Sequence, residues 1–473
     1  MPSILTRLTW ALFALSIGAV AVHGLSGEAW TLGAVLRVDG LTLVMSLVIT
    51  FVSGIVHSFA RRYMAGSRHL DRFYVRLFGL TLIVLLLTAA DHLVLFAGAW
   101  TAMGWVLADL IGHIRGWKQA QAAARRARWS FLGGSALLAA GLTVLALSTE
   151  ATTISGVLRR LDALSLWAAV GAGGFMLLAA MIQSALVPFH GWLLSSMTAP
   201  TPVSAFMHAG LVNAGGVLLA RFAPVAEAVP VVMQGTVLVG ALSALLAQAW
   251  MLVQTDVKRQ LGCSTVAQMG FMVLQCGLGF FAAALAHLIL HGFYKAYLFL
   301  ASGSVVAPTL PTEEADRSVT GLQWVVTAGT ALAGGALFAL LTGKSVTTLG
   351  SGLLLTLVVV IAVLHAAQHV VRRAELALSV RAVALPAVVL PALGLYAAVY
   401  NGVAALTAGL PMQVAPADGS VVQVLIGGLF VLAYVAAERG WHRASPRLYV
   451  ALLNMSQPHP STLTNQRDQY HAY

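Results

Sequence analysis

The chain has 473 residues, of which 59% are hydrophobic and 9% charged, with a formal net charge of +11 and a mean hydropathy of +0.86. Soluble domains carry about 25% charged residues, so a set of soluble domains is excluded and an all-α polytopic membrane protein is implied. Its two cysteines, Cys263 and Cys276, both lie in apolar segments, which argues against a disulfide framework or a cysteine-based metal site.

Apolar runs of about 20 residues, the length that crosses a bilayer, predict 14 spans: 4–24, 34–60, 73–89, 91–113, 129–149, 165–187, 203–222, 231–254, 258–277, 279–304, 322–346, 350–371, 381–406 and 420–438. The first has a short basic flank but no convincing small-residue cleavage site, so it reads as a helix and not as a signal peptide. With the amino terminus inside, basic residues gather on the inner segments, most densely over Arg61–Arg76 and Arg115–Arg128, and also at Lys258, Arg259, Arg317, Arg372, Arg373, Arg381 and Arg439–Arg467. Outer segments keep Arg37, Arg159, Arg160 and Arg221. This bias predicts that both termini are cytoplasmic, and the positive charge then needs no nucleic acid to explain it. Four regions follow: N-terminal helices over 1–90, a core over 91–375, C-terminal helices over 376–440, and a polar cytoplasmic tail over 441–473 suited to a partner.

In chain order, Asp39 opens the second span, where a helix N-terminus favours negative charge. Asp109, flanked by Leu107 and Leu110 one turn from the inner end of its span, either snorkels to the surface or serves a buried function. The basic stretch His113–Arg128 reads as a loop that anchors topology, and secondarily as a docking surface for an acidic partner. The span at 165–187 breaks at Pro188, and the next opens with Ala199-Pro-Thr-Pro-Val-Ser-Ala205 and carries His208. Proline frees backbone groups that protein or water must satisfy, which predicts a polar cavity around Gln183, His190 and His208; a hydrogen-bonded packing histidine is the alternative for His208, disfavoured by its place beside a broken helix. Asp256 and Lys258 flank the inner start of a helix and read as a cap or surface pair, or as the mouth of a path.

The stretch His287-Leu-Ile-Leu-His291-Gly-Phe-Tyr-Lys295 places three ionisable side chains at intervals of four on one helix face, each about 6 Å above the last. Such groups cost roughly 2.5 to 3.5 kcal/mol each to insert and are usually tied to an ion or proton path. Histidine exchanges protons near neutral pH. A zinc site lacks a third ligand nearby, and Lys295 repels a cation. Gly334, Gly335 and Gly343 before Lys344 predict a second interrupted helix, and interruptions in two halves point to an inverted repeat. His365 and His369 form another i, i+4 pair, pore-facing or packed.

These motifs resemble the proton-translocating antiporter family, which includes the large membrane subunits of complex I, Mrp-type sodium/proton antiporters and DabB subunits of inorganic-carbon pumps. The resemblance covers roughly 35–375 and rests on Asp39-Gly-Leu-Thr-Leu-Val-Met, Arg61-Arg-Tyr-Met, Asp91-His-Leu-Val-Leu-Phe, Leu186-Val-Pro-Phe-His190-Gly-Trp-Leu, Pro200-Thr-Pro-Val-Ser-Ala-Phe-Met-His208, Gln254-Thr-Asp-Val-Lys-Arg259 and the ladder helix. It implies two inverted five-helix repeats, each with a broken helix, around a polar axis including His208, His287, His291, Lys295 and Lys344. Two positions depart from the pattern: a family glutamate aligns with Thr101 and a family lysine with Gln183. Losing both avoids one unpaired buried charge, a defect of roughly 3 to 5 kcal/mol. Asp109, about 12 Å beyond Thr101 along its helix, is a candidate displaced acid.

Without a long amphipathic lateral helix or the extra hydrophobic domains of the large Mrp subunit, the chain looks most like the DabB-type branch. That resemblance implies a proton- or sodium-conducting subunit in a bacterial inner membrane, itself neither an enzyme nor a cofactor carrier. Its partner would be a large soluble carbonic-anhydrase-like protein on the cytoplasmic side, which would hold the zinc. His287, His291 and Lys295 would relay protons, His208 would link them across the broken helix, Lys344 would gate the outer exit, and Asp256 and Lys258 would lie near the inner mouth. The alternatives are a complex I-like or hydrogenase membrane arm and a sodium/proton antiporter subunit.

Overall fold

Backbone in hydrocarbon must satisfy its own polar groups, so the apolar runs become helices. The computed structural model describes residues 1–305, 321–373, 378–412 and 419–463. In chain order the helices are α1 (Pro2–Ser26), α2 (Gly40–Tyr63), α3 (Leu70–Ala89), α4 (Leu93–Ile111), α5 (Lys118–Thr149), α6 (Ile154–Arg159), α7 (Leu166–Gln183), α8 (Gly191–Ser195), α9 (Thr201–Ala209) and α10 (Ala214–Arg221). They continue as α11 (Ala223–Glu227), α12 (Pro230–Met251), α13 (Val257–Gly277), α14 (Phe281–Ala301), α15 (Gly321–Thr342), α16 (Ser351–Arg373), α17 (Leu378–Leu406), α18 (Val421–Glu438), α19 (Trp441–Ala444) and α20 (Pro446–Met455). One small hairpin, β1 (Trp30–Leu32) against β2 (Leu36–Val38), precedes α2.

Among the described residues 13 helices are long and apolar enough to cross a membrane, with α9 and α10 counted as one span. Each of the 14 predicted spans falls on a helix. The extra one is α13, which carries Lys258, Arg259, Gln260, Gln268 and Gln275 and is too polar to qualify by composition. Its place in the bundle is set by packing: a Cβ on Gly240 of α12 would lie 2.4 Å from the Leu274 nitrogen, and one on Gly270 2.5 Å from the Ala244 nitrogen. Backbones approach closely in membranes where residues are small, so α12 and α13 form a tight pair whose buried face tolerates polar side chains.

Several expectations change in detail. Residues 118–128 are not loop; they form the opening turns of the 32-residue α5, because the stretch is rich in alanine, arginine and glutamine, all good helix formers. Gly334 and Gly335 do not interrupt α15, which runs unbroken to Thr342. An interior glycine costs a helix only about 1 kcal/mol, and here a Cβ on Gly335 would meet Val360 of α16 at 2.3 Å, so the glycine permits close packing. Gly343, at φ +65°, ends the helix in the left-handed region. Arg317 and Arg467 lie outside the described residues, as do the side chains of His369, Arg372, Arg373 and Arg381.

One large apolar core joins α2–α5, α7–α10 and α12–α14; a second, containing Leu274, Phe280, Phe338 and Leu355, welds α12–α14 to the C-terminal helices. One end of the bundle carries the exposed Arg61, Arg62, Arg68, Arg72, Arg115 and Arg125 and is called here the basic end.

Candidate functional site

The site grows from a real break, displaced from the predicted one. α7 stops at Gln183, and the chain turns through 184–190, with Ala185 at φ +53°. The interrupted span is the following one: α9 ends at Ala209, residues Leu211–Asn213 form a 3-10 turn, and α10 begins at Ala214. Three carbonyls freed there receive side-chain donors. Asn213 Nδ2 donates to Ala209 O (2.8 Å), Gln183 Nε2 to Leu211 O (3.2 Å) and Ser184 Oγ to Val212 O (2.7 Å). The ladder helix α14 lies directly on this break, since a Cβ on Gly292 would sit 2.6 Å from Ala209 O.

His208, the residue before the break, is fully buried. Its Nδ1 lies 3.0 Å from Thr265 Oγ1 of α13, and its ring stacks on Phe299 of α14 at 4.2 Å with an interplanar angle of 18°. Lys295, also 0% exposed, donates from Nζ to Leu261 O at 3.1 Å. Thr265 Oγ1 donates to that same oxygen at 2.9 Å. His208 and Lys295 are thus joined through one hydroxyl and one carbonyl of α13, a connection that sequence reading missed because a threonine inside a helix carries no periodic signal.

His287 and His291 stack nearly parallel on α14, with centroids 5.7 Å apart, and Phe271 meets His287 edge-on at 5.2 Å. The Nε2 atoms of His208, His287 and His291 are buried without a hydrogen-bond partner among the described residues. A buried unpaired polar atom costs about 1–3 kcal/mol, so this concentration is the chemical signature of the region. At the opposite end from the basic loops, Lys344 Nζ donates to Tyr400 Oη (2.9 Å) and lies 4.1 Å above the Phe280 ring. From Phe281, beside this cradle, to Lys295 is about 21 Å along α14. The polar groups therefore span most of the bundle's height.

Other predicted positions are placed differently. Asp256 is exposed and caps α13 by accepting from Arg259 N (2.8 Å), with Lys258 beside it at the basic end, one turn from Leu261. Asp109 receives Arg76 at 2.9 Å and Arg128 at 2.7 Å, so both its oxygens are committed to arginines near the basic surface. Thr101 donates to its own helix at Ala97 O (2.8 Å). His190 stands against Trp250, 4.5 Å between ring centroids, and its Nε2 lies 3.2 Å from Met455 O at the end of α20. Gln183, His190 and His208 thus meet different partners: Leu211 O for Gln183, Trp250 and Met455 for His190, and Thr265 and Phe299 for His208. A cavity of about 20 Å³, room for about one water, runs between Trp100, Met103, Leu211 and Arg221. His365 Nδ1 lies 3.1 Å from Glu438 Oε1 in the C-terminal bundle.

Asp39 caps α2 through Thr42 N (3.0 Å) and pairs with Arg221 at the end of α10. The Arg221 guanidinium and the Thr42 N–H and hydroxyl supply the partners that a buried carboxylate requires. Arg221 also donates to Thr88 O at 2.9 Å, so this pair pins three helices at the end away from the basic loops.

A broken helix crossed by a second helix bearing buried histidines and a buried lysine, inside a bundle of apolar helices, defines a polytopic membrane subunit with a polar core. The chain matches the family described as NADH:quinone oxidoreductase/Mrp antiporter, TM, over residues 90–376, and belongs to it. Residues 26–74 match the N-terminus of NADH-ubiquinone oxidoreductase (complex I) chain 5.

Among curated relatives, the probable inorganic carbon transporter subunit DabB1 of Halothiobacillus neapolitanus is 39% identical over 286 residues, covering 58% of this chain and 50% of that protein. The probable inorganic carbon transporter subunit DabB of Bacillus subtilis is 38% identical over 300 residues, covering 62% and 57%. These matches span about half the length of those relatives. Among solved structures, the Mrp complex from Dietzia sp. DQ12-45-1b aligns with a TM-score of 0.60 at 23% identity, covering 100% of this chain and 52% of that one, and shares the fold.

Proposed function

We propose that this chain is the cation-conducting membrane subunit of an energy-coupled inorganic-carbon pump. Protons, or sodium ions as the second choice, move down their gradient through Lys344, His287, His291, His208 and Lys295 and leave past Asp256 and Lys258 at a cytoplasmic mouth. The flow biases a large soluble carbonic-anhydrase-like partner, which holds zinc and hydrates CO2 to bicarbonate. Catalysis and cofactor belong to that partner. The chain lies in a bacterial inner membrane with both termini in the cytoplasm.

One observation carries the reading: Lys295 is fully buried, among the described residues its Nζ donates to a backbone carbonyl and to no carboxylate, and the nearby histidines leave their Nε2 atoms open. A buried ammonium without a carboxylate is costly and is retained where charge must come and go. Similarity to DabB proteins at 35–39% identity supports the carbon-pump assignment. In a strain that depends on the pump, Lys295→Ala abolishes growth in air without added CO2 while the complex still assembles; normal growth overturns the relay. Co-purification with flavin or iron–sulfur subunits would instead favour the membrane arm of an oxidoreductase.

A further inference from the structure

We infer that Thr265 is a positioning residue that fixes the tautomer of His208, with the proton on Nδ1, so that Nε2 is the atom that takes up and releases the transported proton. The inference rests on the proton-path reading above.

The argument is an account of one hydroxyl proton. Thr265 Oγ1 stands 2.9 Å from Leu261 O, the carbonyl four residues back to which a helical threonine commonly donates, and 3.0 Å from His208 Nδ1. Leu261 O also receives Lys295 Nζ at 3.1 Å and, within α13, the Thr265 backbone N–H, so it is a shared acceptor on which the hydroxyl converges with two other donors. With the hydroxyl proton committed to that carbonyl, Thr265 turns a lone pair toward Nδ1. Nδ1 must then carry hydrogen, and the neutral ring keeps its free lone pair on Nε2.

The converse arrangement places an N–H on Nε2, which has no partner among the described residues although His208 is 0% exposed. Buried N–H groups without an acceptor are rarer than unsatisfied acceptors, so the structure favours the bare nitrogen. Phe299, stacked at 4.2 Å, holds the ring plane. When Nε2 gains a proton, Nδ1–H still donates to Thr265, and the aromatic face beneath the ring favours the cation formed. In each cycle Nε2–H is the bond that forms and breaks, while Nδ1–H persists. No other reactant is needed.

The test uses the full chain, labelled with 15N-histidine and reconstituted in lipid together with its partner subunits. The chain holds 14 histidines, so the His208 signals are assigned by their loss in H208Q. In the neutral state the wild-type protein shows a protonated Nδ1 and a bare Nε2; T265S keeps this pattern, whereas T265V loses it. T265A removes the hydroxyl without a new branched methyl and serves where T265V does not assemble, with the same expectation. Proton flux into vesicles holding the complex stays within about twofold of wild type in T265S and falls about tenfold or more in T265V or T265A.

A wild-type Nε2–H tautomer, or a tautomer unchanged in T265V and T265A, overturns the assignment. A changed tautomer with unchanged flux overturns the positioning role. If Lys295→Ala leaves the flux intact while the tautomer follows Thr265, the proton-path reading fails and the tautomer assignment survives.

Discussion

Two polar regions of the core treat buried polarity in opposite ways. Around α4, α7 and α10 most polar side chains are closed: Thr101 on Ala97, Gln183 on Leu211, Ser184 on Val212, Asp39 on Arg221, with Asn213 Oδ1 the exception. Around α13 and α14, histidine nitrogens are left open and a lysine rests on a carbonyl. Closed groups stabilise one arrangement, since a satisfied network rigidifies its surroundings. Open groups hold capacity to gain or lose a proton. Closure suits the first region to a supporting role, and the open nitrogens suit the second to the proposed relay.

Three substitutions sharpen this contrast, and the largest effect belongs to the ion pair. Asp39→Ala leaves Arg221 buried without its carboxylate and costs roughly 3 to 5 kcal/mol, read as a large drop in thermal unfolding temperature in detergent. An unchanged midpoint would remove Asp39 from the support. Next, Gln183→Leu strips the donor from Leu211 O and costs about 1 to 3 kcal/mol, with conduction per assembled complex unchanged. A selective loss of conduction would place Gln183 on the path and erase the distinction between the regions.

The smallest effect concerns His113 at the basic end. Burial, reinforced by Arg76, His69, Arg72 and Arg115, pushes its imidazole down to about 4 from 6.5. The unfolded chain therefore binds the extra proton first, and stability falls as pH drops from about 6.5 toward 4. Replacing it with His113→Phe should flatten that fall by on the order of 1 kcal/mol, allowing for partial solvent screening. Unfolding midpoints measured at pH 7, 6 and 5 check this, and parallel curves for both proteins would refute it.

The helices were legible because hydropathy acts over 20 residues at a time, and even polar α13 was found from its length and flanks. The ladder was legible from its spacing. What the linear pattern hides is partnership across the fold. Asp39 read as a cap, which it is, but its arginine lies 182 residues away. Asp109 reads in sequence as snorkelling or as a candidate displaced acid, while Arg76 and Arg128, which clamp it, read only as topology signals. The break shifted from Pro188 to 210–213 because proline marks where a helix cannot continue, whereas the interruption between α9 and α10 is stabilised by Asn213, Gln183 and Ser184 converging on freed carbonyls. Gly335 read as an interruption and serves as a packing notch, a choice that only its neighbour Val360 decides.

His190, Gln254 and Arg259, around the basic end of the core, take partners at Met455, Ser456 and Gln457. In His190 that contact joins residues 265 positions apart. Synthesis runs from the amino end, so the ladder and the C-terminal helices are translated before the residues that cover this end. The contacts at Met455, Ser456 and Gln457 therefore join the last-made described part of the chain to this end of a core whose helices are all made before it.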